Sequence, residues 1–423
     1  MLKTSITNLI LRGLTLVSKF ILLLFIARYL SPESLGVFGL VSVSMAISLY
    51  LLGMDFYAFN SREIIAHTEE GCAPLIRDQL VFHGMVYIIV LPLLIVLFVF
   101  DFIAWQYIGW FYALLILEHL SQEANRLLIT LSKPTMANIV LFLRSGIWVY
   151  AVVGTGYFYH DTRTLQFIWS MWCLGGILCV SMTIFTLRKM SWKKTFSVSV
   201  NWQWLKRGFL GSMPFFGSTV AMLGVQYADR FFIQNYHGEA MVGVYTFYAN
   251  IANVVQTFVF TGVIAILYPK IIDAFQKRKY DDYRALMRKM SAGVIGGAVV
   301  LSGIAAVAIV PLLKLVNKSI YNEYLSVFWI LLAAISILVI CSLPHYGLFV
   351  RHRDRQIFIS TLVAVICTIT LNFILVPQYG VQGAAISCLV GYSILFLLKI
   401  NFLLRGKRIL VEVRDDEKVG VKL

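Results

Sequence analysis

Charged side chains stand inside the most apolar parts of this sequence, and they are the first indication of chemistry. Asp229 and Arg230 are adjacent in the stretch LGVQYADRFFIQNYHG, and Lys19 and Arg144 lie deep in other apolar stretches. A charge at the centre of a bilayer costs roughly 2.5–3.5 kcal/mol, so it persists where protein groups or a water-filled cavity receive it. We therefore expect these side chains to face the interior of a helix bundle.

The polar residues inside apolar windows fall into three groups. The basic ones would make an interior cavity positive, which favours an anionic head group such as a phosphate or pyrophosphate, because a guanidinium can bind two phosphate oxygens at once. The candidate substrate-binding residues are Lys19, Arg144, Arg230 and Arg12. The candidates for ion coupling or for pairing are Asp229, Asp55, Glu118, Glu123, Arg126 and Asn372. Polar stripes at helical spacing contain Gln226, Gln234, Asn250, Asn253 and Gln256.

Structural interpretations compete with these functional ones. Arg12 and Arg126 stand near the ends of apolar stretches, where a long side chain can snorkel to the membrane surface. The pair Asp229 and Arg230 is equally consistent with a hydrogen-bonded link that holds helices together, and the stripe that begins at Asn250 is consistent with a helix-packing seam. The sequence leaves these alternatives open.

Composition places the charges in a membrane protein. Of 423 residues, 59% are hydrophobic and 13% are charged, which excludes one soluble globule. A spanning helix needs about 20 mainly apolar residues, and twelve such windows occur. They are residues 9–30, 36–58, 80–100, 105–131, 138–159, 164–187, 208–234, 241–270, 291–313, 324–349, 357–377 and 380–403. The predicted fold class is an all-α polytopic membrane protein with twelve transmembrane helices.

Positive charge predicts the orientation of these helices. The formal net charge is +15, and Lys and Arg concentrate in alternate loops such as 188–207 and 273–290. Because cytoplasmic loops collect Lys and Arg, both termini are expected in the cytoplasm. The charge is accounted for in this way, so no nucleic-acid partner is expected.

The basic connection 188–207 divides the chain into halves. The predicted domains are an N-terminal six-helix bundle (1–187), a basic cytoplasmic linker (188–207), a C-terminal six-helix bundle (208–404) and a charged cytoplasmic tail (405–423). Both halves begin alike, since ARYLSPESLGVF and DRFFIQNYHGEAMVGVY each contain an Arg and then a Glu before Gly, Val and an aromatic residue. Because six spans return the chain to the side where it began, both halves would enter the membrane from the same side. The halves would therefore be parallel repeats related by an axis along the membrane normal.

Motifs for metal and nucleotide chemistry are absent from the sequence. The six cysteines form no C-x-x-C pair, and the seven histidines are scattered singly with no H-E-x-x-H. No G-x-x-x-x-G-K-[ST] occurs, so nucleotide hydrolysis is not indicated. We therefore expect no metal site, no cofactor and no enzyme, and a transport process that runs on an H⁺ or Na⁺ gradient or downhill.

Three stretches resemble a known family. FIARYLSPESLGVFGLVSVSMAI, YADRFFIQNYHGEAMVGVYTFYANIA and LNFILVPQYGVQGAAISCLVGY are similar to the polysaccharide biosynthesis exporters, which are O-antigen or lipid-linked oligosaccharide flippases of the multidrug/oligosaccharidyl-lipid/polysaccharide (MOP) superfamily. The resemblance implies a MATE-like, V-shaped pair of six-helix bundles in the bacterial inner membrane. It also implies a polyprenyl-pyrophosphate-linked oligosaccharide substrate, surrounding membrane lipids, and a polysaccharide polymerase and chain-length regulator as candidate partners.

Two alternatives to a flippase stay open. A multidrug or cation antiporter of the same superfamily would rely on acidic cavity residues, for which Asp55, Glu118, Glu123 and Asp229 are candidates. A membrane O-antigen polymerase or ligase is disfavoured, because such enzymes usually carry a large outer loop and the longest one here, around NKSIYNEY, has only about ten residues.

Overall fold

The computed structural model describes the backbone of residues 2–65, 72–190, 192, 195 and 198–420. Side chains are described for the same residues except 2–6, 9, 214, 215 and 406–420. Every regular element in these ranges is a helix, which confirms the all-α fold class. Lys193 and Lys194 of the predicted linker and residues 421–423 of the predicted tail lie outside the described residues.

The chain divides into two compact units, which we call unit 1 (Met1–Val220) and unit 2 (Ala221–Leu423). Helix α10 contributes to both. The described helices that begin in unit 1 are α1 (Leu2–Tyr29), α2 (Pro32–Gly53), α3 (Phe56–Ile65), α4 (Ala73–Leu93), α5 (Val96–Val99), α6 (Ile108–Thr130), α7 (Pro134–Ser145), α8 (Ile147–Phe158), α9 (Leu165–Leu187) and α10 (Trp202–Val259). Short 3₁₀ turns lie at Trp105–Tyr107 and His160–Thr162.

Unit 2 continues from the second part of α10 through a π-helical turn, Phe260–Ile264. Its further helices are α11 (Ala265–Gln276), α12 (Tyr280–Val316), α13 (Ser319–Glu323), α14 (Leu325–Phe349) and α15 (Asp354–Gly420).

Two glycines turn apparently continuous helices into hairpins. Gly238 has φ 76° and Gly380 has φ 56°, a region that residues with a Cβ rarely adopt. In a straight helix Asp229 and Tyr245 would lie about 24 Å apart at 1.5 Å per residue, yet their side chains are hydrogen bonded. The chain therefore reverses at Gly238. At Gly380 it reverses as well, because a Cβ on Gly391 would collide with Thr368 on the preceding segment.

These hairpins account for the number of membrane passes. In the described ranges nine helical stretches are long and apolar enough to span a membrane, and those containing Gly238 and Gly380 each supply two passes. Helix α6 also has spanning length, with 23 residues, although its central charges lower its hydropathy. The described residues thus provide the twelve predicted helices of a multi-pass membrane protein.

Helix α2 begins four residues before its predicted window of 36–58 and ends five residues before the end of that window. It begins at Pro32, where the Ser31 side chain accepts a hydrogen bond from the Ser34 N–H, and ends at Gly53. Met54 and Asp55 then have φ values of 45° and 51°. The prediction that Asp55 lies inside the second helix is therefore wrong, because left-handed backbone ends the helix before it.

Candidate functional site

A carboxylate on α6 links three helices of unit 1. Arg144 Nε on α7 donates to Glu118 Oε2 at 2.6 Å, and Trp172 Nε1 on α9 donates to Glu118 Oε1 at 2.7 Å. The arginine and glutamate side chains are only 14% and 9% exposed. Helix α7 ends one residue after this arginine, at Ser145, because the helical backbone is interrupted at Gly146 before α8 begins. Both oxygens of Glu118 are thus engaged within unit 1.

Lys19 on α1 lies beside this link. Its side chain is exposed on the surface of the isolated chain, and Arg144 and Glu118 are its electrostatic neighbours. Within the described part of the chain no carboxylate lies at ion-pair distance from Lys19. Arg12, two turns earlier, donates from Nε to Asn138 Oδ1 on α7 at 2.9 Å. The acidic residue near the cations of α1 is therefore Glu118, which is already paired with Arg144.

A second cluster of polar side chains lies between α2, α3, α4 and α6; we call it the histidine cluster and define it as Gln79, His83, His119 and Glu123. Gln79 Nε2 donates to Glu123 Oε2 at 2.7 Å and lies 3.2 Å from His83 Nε2. His83 Nε2 is 3.7 Å from Glu123 Oε2, and the two imidazole rings are 4.7 Å apart and nearly perpendicular. Neither histidine was predicted as a site residue, because each stands isolated along the sequence.

Neighbouring groups fix the orientation of the histidine cluster. Tyr87 bonds His119 Nδ1 at 2.7 Å, and Arg126 Nη1 donates to Glu123 Oε1 at 2.7 Å while its guanidinium lies 3.7 Å from the centre of the Tyr57 ring. A cavity of about 540 Å³, lined mostly by aliphatic side chains, reaches Gln79, His83, His119 and Glu123.

Asp55 lies in the α2–α3 turn and accepts from Thr219 at 3.0 Å.

Among the described residues of unit 2, Asp229 and Arg230 form a buried ion pair. Arg230 Nη1 donates to Asp229 Oδ1 at 2.9 Å and to the Gln226 carbonyl at 3.1 Å, and Tyr245 on the second half of the hairpin donates to Asp229 Oδ2. The Arg230 and Asp229 side chains are 5% and 2% exposed. Tyr227 and Tyr245 also place their rings near the guanidinium. This arrangement ties the two arms of the Gly238 hairpin together.

A buried lysine in unit 2 was not anticipated. Lys399 on α15 is 5% exposed, and its Nζ lies 3.3 Å from His345 Nδ1 on α14. Both line a cavity of about 210 Å³ with Gln256, Ser342 and Tyr346. No carboxylate among the described residues reaches ion-pair distance of this ammonium. The cavity therefore combines an uncompensated cation with neutral hydrogen-bonding groups.

The remaining predicted residues have mixed placements. Asn372 is buried and neither side-chain atom has a hydrogen-bond partner within the described ranges, and the same holds for Gln234 Oε1. Asn250 is exposed and its amide donates back to the Thr246 carbonyl at 2.8 Å. Asn253 is half-buried, and its carbonyl accepts from Thr257. The polar stripes thus have no common partner among the residues that the structure describes.

No protein-family profile and no curated protein sequence matches the chain. Solved structures do match along its whole length. A multidrug resistance MATE family transporter of the MOP superfamily, in an inward-facing conformation, is 15% identical with a TM-score of 0.75, and the match covers 97% of this chain and 99% of that one. The chain has the MATE transporter fold.

Two further structures carry the same MATE fold at lower similarity. A mutant of a Vibrio cholerae MATE transporter is 14% identical with a TM-score of 0.58, covering 96% of this chain and 98% of that one. A MOP superfamily transporter from Pyrococcus furiosus is 15% identical with a TM-score of 0.61, covering 98% and 96%, and a reversed polarity of its binding pocket suggests a different function for that protein. Likeness at this level of identity establishes the fold.

Sequence spacing held a signal for the missed residues. Gln79, His83 and Tyr87 recur every four residues on α4, and His119 and Glu123 do so on α6, so each set shares one helix face. Lys399 stands four residues before the end of the last predicted window, where a lysine normally snorkels to the membrane surface. Its burial follows from the packing of α14 and α15.

Proposed function

We propose that this chain is a secondary transporter that moves an amphipathic solute across a bacterial inner membrane by alternating access, with both termini in the cytoplasm. The MATE fold and the twelve membrane-length helices support this. No nucleotide-binding loop is present in the sequence, so an H⁺ or Na⁺ gradient is the proposed energy source and no enzymatic reaction is proposed.

The substrate class that we favour is an anionic lipid-linked saccharide, of the polyprenyl-pyrophosphate type. One observation carries this proposal: among the described charges inside the apolar helices, those without an oppositely charged partner are mainly positive. Glu118, Glu123 and Asp229 each pair with an arginine of their own unit. Lys19 and Lys399 have no such partner among the described residues.

Lys399 is buried, and a buried cation without an acidic partner is costly unless an anion joins it. Lys19 is exposed on the isolated chain, but it lies in an apolar helix, where a charge also needs a partner or water. A substrate with about two negative charges would supply that anion during transport. Hydrogen bonds from the lysine ammonium groups would in turn replace those that the substrate loses when it leaves water. A polysaccharide polymerase and a chain-length regulator are the partners that such a flippase would serve.

The second candidate is a multidrug or cation antiporter, and the structural neighbours favour it over the flippase. Asp55 supports it too, because this carboxylate is 6% exposed and its hydrogen bond comes from the neutral Thr219. The aliphatic cavity beside Glu123 has a size suited to a drug-like solute. We place it second because the neighbours share only 14–15% of residues with this chain, whereas the lysines are its own.

Deletion of the gene distinguishes the two candidates. A flippase predicts that lipid-linked oligosaccharide accumulates on the cytoplasmic face and that surface polysaccharide is lost. An antiporter predicts normal glycans and reduced efflux of cationic dyes. Complementation with Lys19→Met and Lys399→Met should then reduce polysaccharide export about tenfold or more, which corresponds to one lost charged hydrogen bond.

Lys277→Met is the matched control for these lysine variants. Its partner is Asp273, and the two side chains are 61% and 60% exposed, so export should be normal. Full export in the Lys19→Met and Lys399→Met variants, at normal expression, would contradict the anionic-substrate proposal.

A further inference from the structure

Three potential metal ligands converge within the histidine cluster. His83, His119 and Glu123 each offer one ligand atom, and these atoms all lie within 4.8 Å of one another. Ligands of a tetrahedral Zn²⁺ ion with bonds of 2.0–2.2 Å are separated by roughly 3.3–3.5 Å. The observed 3.7 Å between His83 Nε2 and Glu123 Oε2 is already close to that separation. Small side-chain rotations would close the remaining gap.

Hydrogen bonds hold both imidazoles in the orientation that a metal needs. His83 Nδ1 lies 3.3 Å from the Leu52 carbonyl, an acceptor, so Nδ1 carries the proton and Nε2 keeps its lone pair. His119 Nδ1 bonds the Tyr87 hydroxyl, while His119 Nε2 is buried and meets no hydrogen-bond partner among the described residues. A metal-bound histidine characteristically bonds an oxygen through its other ring nitrogen. Both histidines have that arrangement.

We infer that His83 Nε2, His119 Nε2 and Glu123 Oε2 form a binding site for a divalent transition-metal ion of the Zn²⁺ class. Two imidazoles and one carboxylate suit such an ion better than Na⁺, Mg²⁺ or Ca²⁺, which prefer oxygen ligands. The 540 Å³ cavity that reaches all three residues provides a path to the site.

Gln79 supplies the fourth ligand. Its Nε2 now lies within hydrogen-bond distance of both His83 Nε2 and Glu123 Oε2. The lone pairs of these two atoms therefore point towards the place that Gln79 Nε2 occupies. The other amide atom, Oε1, accepts from Asn60 Nδ2. If both amides rotate by half a turn, Gln79 Oε1 faces the metal and Gln79 Nε2 donates to Asn60 Oδ1, an atom without a partner among the described residues. The rotation therefore loses no hydrogen bond between these amides.

Arg126 is compatible with the metal because it holds the other carboxylate oxygen. It donates to Glu123 Oε1, and its guanidinium rests on the Tyr57 ring. A ligating carboxylate is commonly hydrogen bonded in this way through its free oxygen. Arg126 thus fixes the carboxylate plane so that Oε2 points at the histidines.

The test measures Zn²⁺ on the full-length protein, purified in detergent without a polyhistidine tag and stripped with a chelator. We expect one high-affinity Zn²⁺ per chain by calorimetry and elemental analysis, a Zn²⁺-dependent rise in melting temperature that Mg²⁺ does not reproduce, and a Co²⁺ absorption spectrum typical of four-coordinate geometry. His83→Gln and His119→Gln should weaken binding by more than about 100-fold, because loss of a ligand exceeds the effect of losing an outer hydrogen bond.

Two variants serve as controls. Tyr87→Phe keeps every ligand and should weaken binding by about tenfold through the orientation of His119, so it tests the site even if the histidine variants do not fold. His345→Gln changes a buried histidine of unit 2 and should leave Zn²⁺ binding unchanged. The proposal is overturned if the wild-type protein binds no stoichiometric Zn²⁺, or if Tyr87→Phe and the folded histidine variants bind it as tightly as the wild type does.

Discussion

Unit 1 and unit 2 stabilise their buried charges in different ways. In unit 1, Glu118 and Glu123 belong to networks that several helices share and that include tryptophan, histidine and amide side chains. In unit 2, Asp229 is enclosed by its sequence neighbour Arg230 and by Tyr245, while Lys399 lies beside the imidazole of His345. In unit 1, potential ligand atoms therefore face a cavity. In unit 2, Asp229 and Arg230 are buried against each other, and no described carboxylate pairs with Lys399.

This difference separates structural from functional charges. A pair that is satisfied inside one unit holds helices together, and removing one partner leaves a buried charge alone. A buried charge without a partner lowers stability and is available to a ligand. Substitutions in the two classes should consequently differ in size and even in sign.

The largest effect is expected for Arg230→Ala. It strands the Asp229 carboxylate, which is 2% exposed, so the free energy of unfolding should fall by about 3–5 kcal/mol. Thermal unfolding in detergent measures this as a lower melting temperature. The double variant Asp229→Asn, Arg230→Gln should be more stable than Arg230→Ala. A melting temperature equal to that of Arg284→Ala, whose partner Asp281 is almost fully solvated, would contradict a structural role.

Glu118→Gln should have a smaller effect, about 1.5–3 kcal/mol, because it removes charge-assisted hydrogen bonds but leaves a carbonyl oxygen for Trp172. The Arg144 side chain is also 14% exposed and can be partly solvated. The same unfolding measurement applies. Combining Glu118→Gln with Arg144→Gln should recover part of the loss. No recovery in the double variant would mean that the two residues do not interact in the folded protein.

Lys399→Met is expected to change stability in the opposite direction. The substitution replaces a buried, uncompensated ammonium by an apolar side chain of similar length, so the free energy of unfolding should rise by about 1 kcal/mol. An increased melting temperature together with reduced export separates a functional lysine from a structural one. Destabilisation of the size expected for Arg230→Ala would reveal a structural partner instead.

Lys277→Ala defines the smallest effect. Its pair with Asp273 is largely exposed, so it should contribute no more than about 0.5 kcal/mol, and less at high salt. Unfolding measured at low and high ionic strength tests this. A loss above about 1 kcal/mol would weaken the argument that burial, rather than pairing alone, decides the cost.

Features that depend on local composition, such as the membrane-spanning helices, could be predicted from the sequence. Windows of about 20 apolar residues located all twelve helices, and the adjacency of Asp229 and Arg230 indicated a pair. Links across helices were not accessible in this way. Glu118 and Arg144 are 26 residues apart, and whether they meet depends on how α6 and α7 pack.

The histidine cluster was missed for a related reason. His83 and His119 come from two helices, and no sequence motif joins them, although the spacing of four within each helix was visible. Asp55 was misplaced because hydropathy does not detect the left-handed backbone that ends α2. Local patterns thus predicted the elements, whereas the contacts between helices required three-dimensional packing.

The π-helical turn at Phe260–Ile264 lies in the wall of the Lys399 cavity. Such a turn accommodates one residue more than an α-helix of the same rise, and it is the form that a single-residue insertion takes inside a helix. Gln256, Phe260 and Ile264 line the cavity from before the turn to its end. Deleting Gly262 would restore an ordinary helix, and because the turn absorbs its extra residue locally, Ile264 would keep its orientation relative to Gln256. The extra residue therefore changes the cavity wall only within this turn, so that a homologue lacking one residue here would keep the lining residues before and after it in place.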